Sequence, residues 1–299
     1  MSENKPRVKI FFVTYDEIDL LNETLDSFFK TGGGDFCDSV NVINNHSNFK
    51  LNDEFVDRVN VIHNNTRPDF STGHLARNWN QAIIHGFKDI DNPDCDILIT
   101  SQTDVLFFDG WTDKIKEIHI DMGISFYTSG GGDCFCSYTI DAIKRVGIWD
   151  ERFCGLGYQE ADYFARAVYH LQTKCVISDF QHGRTYNLIQ FNHNTPFPPA
   201  YDYIEGWHNS VCITSRIAKI KNRNDFTMSD HHIKSMSIGH DSSLAVFNAK
   251  FTINYSSINS ILNCIDSGKS IYSGNLKTSI LYPYFENKIP NRHTLNYMN

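Results

Sequence analysis

Near its amino terminus the chain reads VKIFFVTYD, from Val8 to Asp16. The apolar run Val8–Val13 has the length of a buried β-strand, and polar residues follow it directly. Apolar residues then recur at helical spacing over Ile18–Phe29, and the glycines Gly32–Gly34 predict the end of that helix. The sequence therefore begins its regular structure with a strand followed by an amphipathic helix.

The same alternation of strands and helices continues to about residue 177. Short apolar runs predict further strands at Val40–Ile43, Val59–Ile62, Ile97–Ile99, Gly123–Tyr127 and Cys175–Ile177. Helical patterns lie at Leu75–Phe87 (with Ser71 or Thr72 as N-cap), Asp113–His119, Tyr138–Val146 and Glu160–Leu171. Strands that alternate with helices predict an α/β domain with a mainly parallel sheet.

Composition excludes several classes of protein. The chain has 299 residues, 27 Lys+Arg against 35 Asp+Glu, a net charge of −8 and 41% hydrophobic residues, which is a globular composition. The acidic balance disfavours a nucleic-acid binder, which needs a basic face. No apolar run reaches the roughly 18 residues of a membrane span, and no signal-peptide core is evident. With eight scattered cysteines, we expect a cytoplasmic protein with reduced thiols.

The pattern changes near residue 195. The segment Phe197–Pro199 breaks regular structure, and only weak helical patterns follow, at 211–221 and 257–267. We therefore predict an α/β domain at residues 1–195 and a mixed C-terminal extension at 196–299.

Polar residues follow three predicted strands at their carboxyl ends, in Thr14–Asp16, Asn44–Ser47 and Ser101–Asp104. Ligands of open α/β sheets bind beyond these strand ends, so we expect the three segments to line one crevice. Ordinary polar loops would give the same pattern at any one of them. Asp104 is the most specific, because its carboxylate stands between apolar runs and needs a metal, a cation or backbone donors there.

Two acidic residues mark the start of the helix predicted at Glu160–Leu171. Asp162 and Arg166 are four residues apart and can pair, whereas Glu160 diverges from Asp162 by about 200° on a helix. Glu160 follows two glycines that allow close approach of a ligand. An acidic first turn that offsets the helix dipole is the structural alternative.

In their order and spacing, these segments resemble the family 2 glycosyltransferases, nucleotide-sugar-dependent enzymes of GT-A fold. The matching segments are Val8–Tyr15, Asn44–Ser47, Gly73–Asn78, Gln102–Asp104 with Gly110 and Trp111, and Gly157–Arg166. The resemblance spans about residues 7–190. It implies a GT-A catalytic domain with a Rossmann-like, mainly parallel sheet flanked by helices.

The resemblance also implies a site for the nucleotide-sugar donor at the strand ends. Its donor-binding or nucleotide-binding positions are Thr14, Tyr15, Asn44, Asn45, Arg77, Gln102, Thr103 and Asp104. Asp104 matches the second Asp of the D-x-D motif, and His182 matches a further metal contact, although a lone histidine is more often a surface residue. A divalent cofactor, Mn²⁺ or Mg²⁺, would then rest on Asp104, His182, phosphate oxygens and water, since Gln102 replaces the first Asp.

Catalytic roles follow from the same resemblance. Glu160 matches the general base and Asp162 its neighbour in the catalytic motif, while the acceptor or sugar contacts expected are Asp133, Gly157 and Tyr158. The implied reaction transfers a sugar to a hydroxyl of a glycan, glycolipid or glycoprotein, with inversion. A retaining transferase is one alternative. A non-catalytic nucleotide-sugar-binding protein is another, because two ligand positions depart from the motif.

The extension at 196–299 matches nothing in the family pattern. Its aromatic residues Phe197, Tyr201, Tyr203 and Trp207 would pack over the sheet, stack on sugar rings or form the contact of a homodimer. Acceptor binding, a lid or oligomerisation are therefore the roles expected for it.

Overall fold

The computed structural model describes residues 5–14, 18–45, 49–64, 74–103, 105–129, 133–153, 158–177, 243–253 and 258–273. Its strands are β1 (Val8–Thr14), β2 (Ser39–Asn44), β3 (Asn60–His63), β4 (Ile97–Gln102), β5 (Phe126–Ser129), β6 (Phe135–Tyr138) and β7 (Cys175–Val176). They form one sheet of order β3-β2-β1-β4-β6-β5-β7. Strands β1 to β4 run parallel, β6 is antiparallel to both β4 and β5, and β7 is parallel to β5. This confirms the mainly parallel α/β sheet that the sequence predicts.

Helices lie between the strands along the chain. They are α1 (Ile18–Lys30), α2 (Gly33–Phe36), α3 (Asp53–Val56), α4 (His74–Phe87), α5 (Trp111–Lys116), α6 (Ile140–Val146), α7 (Tyr158–Leu171), α8 (residues 243–250) and α9 (Ile258–Ser267). Helix α5 continues as a π-helical turn at Glu117–Asp121, and α7 as a 3₁₀ turn at Gln172–Lys174. No helix in the described ranges has the length and apolar character that a membrane crossing requires.

Two sequence predictions differ from the structure in detail. The helix predicted at Tyr138–Val146 is confirmed over Ile140–Val146 as α6, but Tyr138 is the last residue of strand β6, which the sequence did not predict. Every residue of β6 is buried, so the strand lacks the apolar–polar alternation by which a half-buried strand is recognised. The glycines after α1 do interrupt the helix, but the chain turns at Gly32 (φ 86°) and re-enters the short helix α2. The predicted N-caps Ser71 and Thr72 lie outside the described residues.

Side chains of β1 alternate between the two apolar layers of the domain. Ile10 and Phe12 face a layer that includes Trp111 of α5. Phe11 and Val13 face the other layer, which includes residues of α4 and α7. A strand that buries both faces in this way explains the continuous apolar run VKIFFV.

The described part of the C-terminal extension belongs to the second of these layers. Phe247 of α8, Phe251, Ile261 of α9 and Ile271 are buried in the same apolar cluster as the residues of α4 and α7. Phe251 also forms an isolated antiparallel bridge with Tyr272. Residues 243–253 and 258–273 are therefore packed against the α/β domain.

A buried group of charges ties α8 to α7. Lys250 Nζ lies 2.8 Å from Asp150 Oδ2 and also donates to Asp162 Oδ1. Arg166 Nη2 donates to Asp162 Oδ2 at 2.6 Å, and its side chain is fully buried. Burial opposes ionisation of Asp150, but the charges of Lys250 and Arg152 outweigh it and hold the pKa of Asp150 below its usual range. Each buried charge is thus compensated by another.

Replacing Lys250 by methionine should therefore destabilise the fold strongly. Lys250→Met keeps much of the side-chain volume but removes a cation from two buried carboxylates, which costs about 3–5 kcal/mol. Urea unfolding followed by circular dichroism measures the change. Lys88→Met is the matched control, because Lys88 forms an exposed pair with Asp94 and its loss should leave stability nearly unchanged. Equal midpoints for the two variants would contradict the assignment.

A buried histidine on the π-helical turn makes the stability depend on pH. The ring nitrogens of His119 lie 2.7 Å from the Ile124 carbonyl oxygen and 2.7 Å from Ser137 Oγ, as in a neutral imidazole with Nδ1–H donating. Burial lowers the pKa of His119 to about 4. Because the unfolded chain has a histidine pKa near 6.5, protons favour the unfolded state.

The stability contributed by His119 should be complete above about pH 6.5 and be lost as the pH falls toward 4. The expected loss is about 3 kcal/mol, from the difference between the two pKa values. Unfolding free energies measured between pH 4 and 7 test this. His119→Gln removes the titrating group, so its stability should vary less with pH; an unchanged slope would refute the contribution.

Candidate active site

The predicted donor residues on β1 and β2 meet at the carboxyl edge of the sheet. Thr14 and Asn44 are paired in the parallel register. Asn45 donates to the Thr14 carbonyl oxygen through its backbone N–H at 3.1 Å and its side chain at 3.2 Å. All three residues are buried. The Thr14 hydroxyl is buried and has no hydrogen-bond partner among the described residues, so it is available to a ligand.

Residues after β3 fix the end of β2. Asn44 Nδ2 lies 3.1 Å from His63 Nδ1. Asn64 donates to Asn45 Oδ1 at 3.0 Å and to Gln81 of α4 at 2.8 Å. These amide contacts set the positions of Asn44 and Asn45 before any ligand arrives. Sequence analysis missed His63 and Asn64, although Asn64 directly follows β3 just as Asn45 follows β2.

The end of β4 is anchored from two sides. The Gln102 backbone N–H donates to the Cys134 carbonyl oxygen at 2.8 Å. Thr24 of α1 donates its hydroxyl to the Thr103 carbonyl oxygen at 2.7 Å. The backbone at Gln102 and Thr103 is therefore fixed where the chain reaches Asp104.

A buried carboxyl lies beside this strand end. Asp133 Oδ1 accepts from Gln102 Nε2 at 2.9 Å, while Oδ2 accepts from Trp79 Nε1 at 2.7 Å and from Gln159 Nε2 at 3.3 Å. The donors come from β4, α4 and α7. Asp133 is 1% exposed, so its carboxyl lies beneath the protein surface. The sequence predicts that Asp133 contacts the sugar or the acceptor.

Glu160, in the first turn of α7, hydrogen-bonds to Asp133 through its side chain. Burial raises the pKa of Asp133, while the hydrogen bonds from Trp79, Glu160 and Gln159 oppose that rise. Glu160 itself is only half-buried. The two carboxyl groups are therefore hydrogen-bonded to each other, and Glu160 is the more accessible of the two.

Three further predicted residues have different surroundings. Asp162 is fully buried and its carboxylate binds Arg166 and Lys250, on a side of α7 separate from Glu160. Tyr158, at the start of α7, is buried in the apolar layer. Arg77 is exposed, with 58% of its side chain accessible and Nε 3.5 Å from Glu151 Oε2.

Four predicted site residues lie outside the described residues, namely Tyr15, Asp104, Gly157 and His182. Both predicted metal ligands are among them. The ranges that the structure does describe contain no group of three or more His, Cys, Asp or Glu side chains suited to a metal.

Sequence analysis also missed two partners of Asp133. Trp79 fits the apolar stripe of α4, and nothing in its spacing indicates a polar partner for the indole N–H. Gln159 precedes Glu160, and within the described ranges its buried amide oxygen has no hydrogen-bond partner. The signal that could have drawn attention to Trp79 is chemical, since a buried indole needs an acceptor.

No protein-family model matches the sequence, and no curated protein matches it. Several solved structures are similar to the chain. A mannosyltransferase from Pyrobaculum calidifontis, in complex with GDP-Man and Mn²⁺, has 11% identity and a TM-score of 0.38, covering 89% of this chain and 80% of its own. TarS from S. aureus has 9% identity and a TM-score of 0.42, and the match covers 79% of this chain and 49% of TarS.

Glucosyl-3-phosphoglycerate synthase from Mycobacterium tuberculosis, in complex with Mn²⁺, UDP and glucosyl-3-phosphoglycerate, has 12% identity and a TM-score of 0.40. The match covers 75% of this chain and 82% of that one. In structure, the chain is similar to this synthase, to the mannosyltransferase and to TarS.

Proposed function

We propose that the chain is a metal-dependent glycosyltransferase that moves a sugar from a nucleoside-diphosphate sugar to an acceptor hydroxyl with inversion. The observation that carries the proposal is the Gln102–Asp133–Glu160 contact chain. It links the start of the acidic helix α7 to the strand that leads to Asp104. A carboxyl able to take the acceptor proton and a carboxylate suited to a metal would then border one crevice.

The nucleotide of the donor would lie across the ends of β1 and β2. The buried Thr14 hydroxyl, which no described residue hydrogen-bonds, can donate or accept a hydrogen bond. Asn44 is held in place by the His63 ring and Asn45 by the Asn64 amide, which supports a fixed contact to a nucleobase or ribose. The exposed Arg77 guanidinium suits a diphosphate, because it can donate two parallel hydrogen bonds to phosphate oxygens.

Asp104 and His182 would hold the divalent cation, Mn²⁺ or Mg²⁺. A carboxylate with additional phosphate oxygens and water is a ligand set that these cations accept. Thr103 and Val105, on either side of Asp104, are both buried, so a carboxylate between them needs a compensating charge. When bound, the ion would stabilise charge on the departing diphosphate.

Glu160 would act as the general base. As the acceptor oxygen bonds to the anomeric carbon, the bond from that carbon to the diphosphate oxygen breaks, and the acceptor proton passes to Glu160. The half-buried position of Glu160 at the start of α7 supports this role. Asp162 would support catalysis indirectly, by holding α7 through Arg166 and Lys250. The acceptor would be a hydroxyl of a glycan, glycolipid or glycoprotein.

Glu160→Gln should slow transfer strongly while donor binding survives, because the amide cannot take the acceptor proton. General-base catalysis contributes about 10²–10⁴-fold to the rate, so kcat should fall by that factor. Product formation is followed by NMR, which also reports the anomeric configuration. Glu117→Gln is the control, since Glu117 pairs with Lys114 on α5 and should leave turnover intact. Unchanged kcat in Glu160→Gln removes Glu160 from the base role, and a retained configuration contradicts inversion.

The donor site is tested by thermal shift with nucleoside diphosphates and nucleotide sugars, with and without Mn²⁺. A ligand at 100 times its Kd should add about 3 kcal/mol of stability. Asp104→Asn should remove the Mn²⁺ dependence, whereas Asp113→Asn on α5, an exposed site, should not. A thermal shift of the same size with and without Mn²⁺ would refute the proposed metal dependence of donor binding. Binding without transfer across a donor panel would favour a nucleotide-sugar-binding protein.

A further inference from the structure

Asp133 is enclosed by neutral hydrogen-bond donors. The indole of Trp79 and the amides of Gln102 and Gln159 donate to its two oxygens, and they come from three different elements. Among the described residues, the titratable group that hydrogen-bonds to Asp133 is Glu160. The surroundings of Asp133 therefore differ from those of Asp162, which is matched by buried cations.

A hydrogen bond between two carboxyl groups requires a proton between them. Both oxygens of Asp133 accept from N–H donors, Oδ1 from Gln102 and Oδ2 from Trp79 and Gln159, so Asp133 is the acceptor and the O–H of Glu160 is the donor in this contact. The resting pair carries one negative charge and one proton. Glu160 still has a second oxygen, which can accept another hydrogen bond.

We propose that Asp133 and Glu160 work as one base that already holds a shared proton, with Glu160 facing the acceptor and Asp133 receiving the shared proton during transfer. The inference rests on the proposed glycosyl transfer. In it, Glu160 is the catalytic residue and Asp133 a positioning residue that acts through Glu160.

Protons and electrons balance in this step. The acceptor oxygen gives an electron pair to the anomeric carbon and loses its proton to the second oxygen of Glu160. The proton that Glu160 held passes to Asp133, and the diphosphate leaves with the electron pair of the broken bond. The pair changes from one negative charge to none. Its internal hydrogen bond survives, because Asp133 now donates to Glu160.

The burial of Asp133 supports this final state, in which Asp133 holds the proton. A carboxyl with 1% exposure is stabilised in its neutral form, and burial raises its pKa accordingly. A carboxyl in water would have less tendency to keep the proton. The accessible Glu160 can therefore take up the acceptor proton, and the enclosed Asp133 can hold the proton that Glu160 gives up.

Infrared spectroscopy of the wild-type protein at neutral pH tests the shared proton directly. We expect the carbonyl stretch of a protonated carboxyl, shifted when glutamate is ¹³C-labelled. Asp150 and Asp162, which pair with buried cations, are aspartates and so do not contribute to a band that shifts with labelled glutamate. Asp133→Asn should remove the band, because Glu160 then ionises without a neighbouring carboxylate. Asp141→Asn, at an exposed salt bridge with Arg145, is the control and should keep it.

A wild-type spectrum without this band overturns the proposal, as does a band that persists unchanged in Asp133→Asn. The first of these needs no variant to fold. In turnover, Asp133→Asn should lower kcat about 10-fold or more at unchanged donor KM and change the pH profile of kcat; wild-type kcat with a wild-type profile also overturns it. If the wild type transfers no sugar, the proposed function fails, and the spectrum still judges the shared proton on its own.

Discussion

Helix α7 is held in the molecule by charges that are buried away from solvent. Asp162 accepts from Arg166 one turn later and from Lys250 on α8, while Lys250 also reaches Asp150. Arg166 further donates to the carbonyl oxygens of Val146 and Ile148, at 2.8 and 3.0 Å. Removing one member would leave a buried charge without compensation, so the group can hold only as a whole. The direction in which α7 presents Glu160 depends on it.

Helix geometry separates this ionic anchor from the catalytic candidate. Two residues apart on a helix, Glu160 and Asp162 point about 200° away from each other. Asp162 meets cations, whereas Glu160 meets Asp133 amid neutral donors. One short stretch of α7 thus places one carboxyl group against buried cations and the other against a second carboxyl group that neutral donors surround.

Local patterns made much of this fold predictable. The apolar run of β1, the spacing of α1 and the Asp162–Arg166 pair all depend on residues near in sequence, and the structure has each of them. The missed features depend on distant residues. Trp79 meets its acceptor Asp133 across 54 residues, and Lys250 meets Asp162 across 88. No period or spacing encodes such contacts, because tertiary packing alone brings them together.

The position of Lys250 has a consequence for the order in which the chain folds during synthesis. A ribosome adds Asp162 88 residues before it adds this lysine, a delay of roughly 4–18 s at usual elongation rates. During that interval the parallel core strands can pair, but Asp150 and Asp162 lack their common cation. Closing so long a loop is entropically slow, so docking of α8 is expected to be a late event in biogenesis. The nascent α/β domain would therefore emerge from the ribosome before Lys250 can stabilise α7, the helix that carries Glu160.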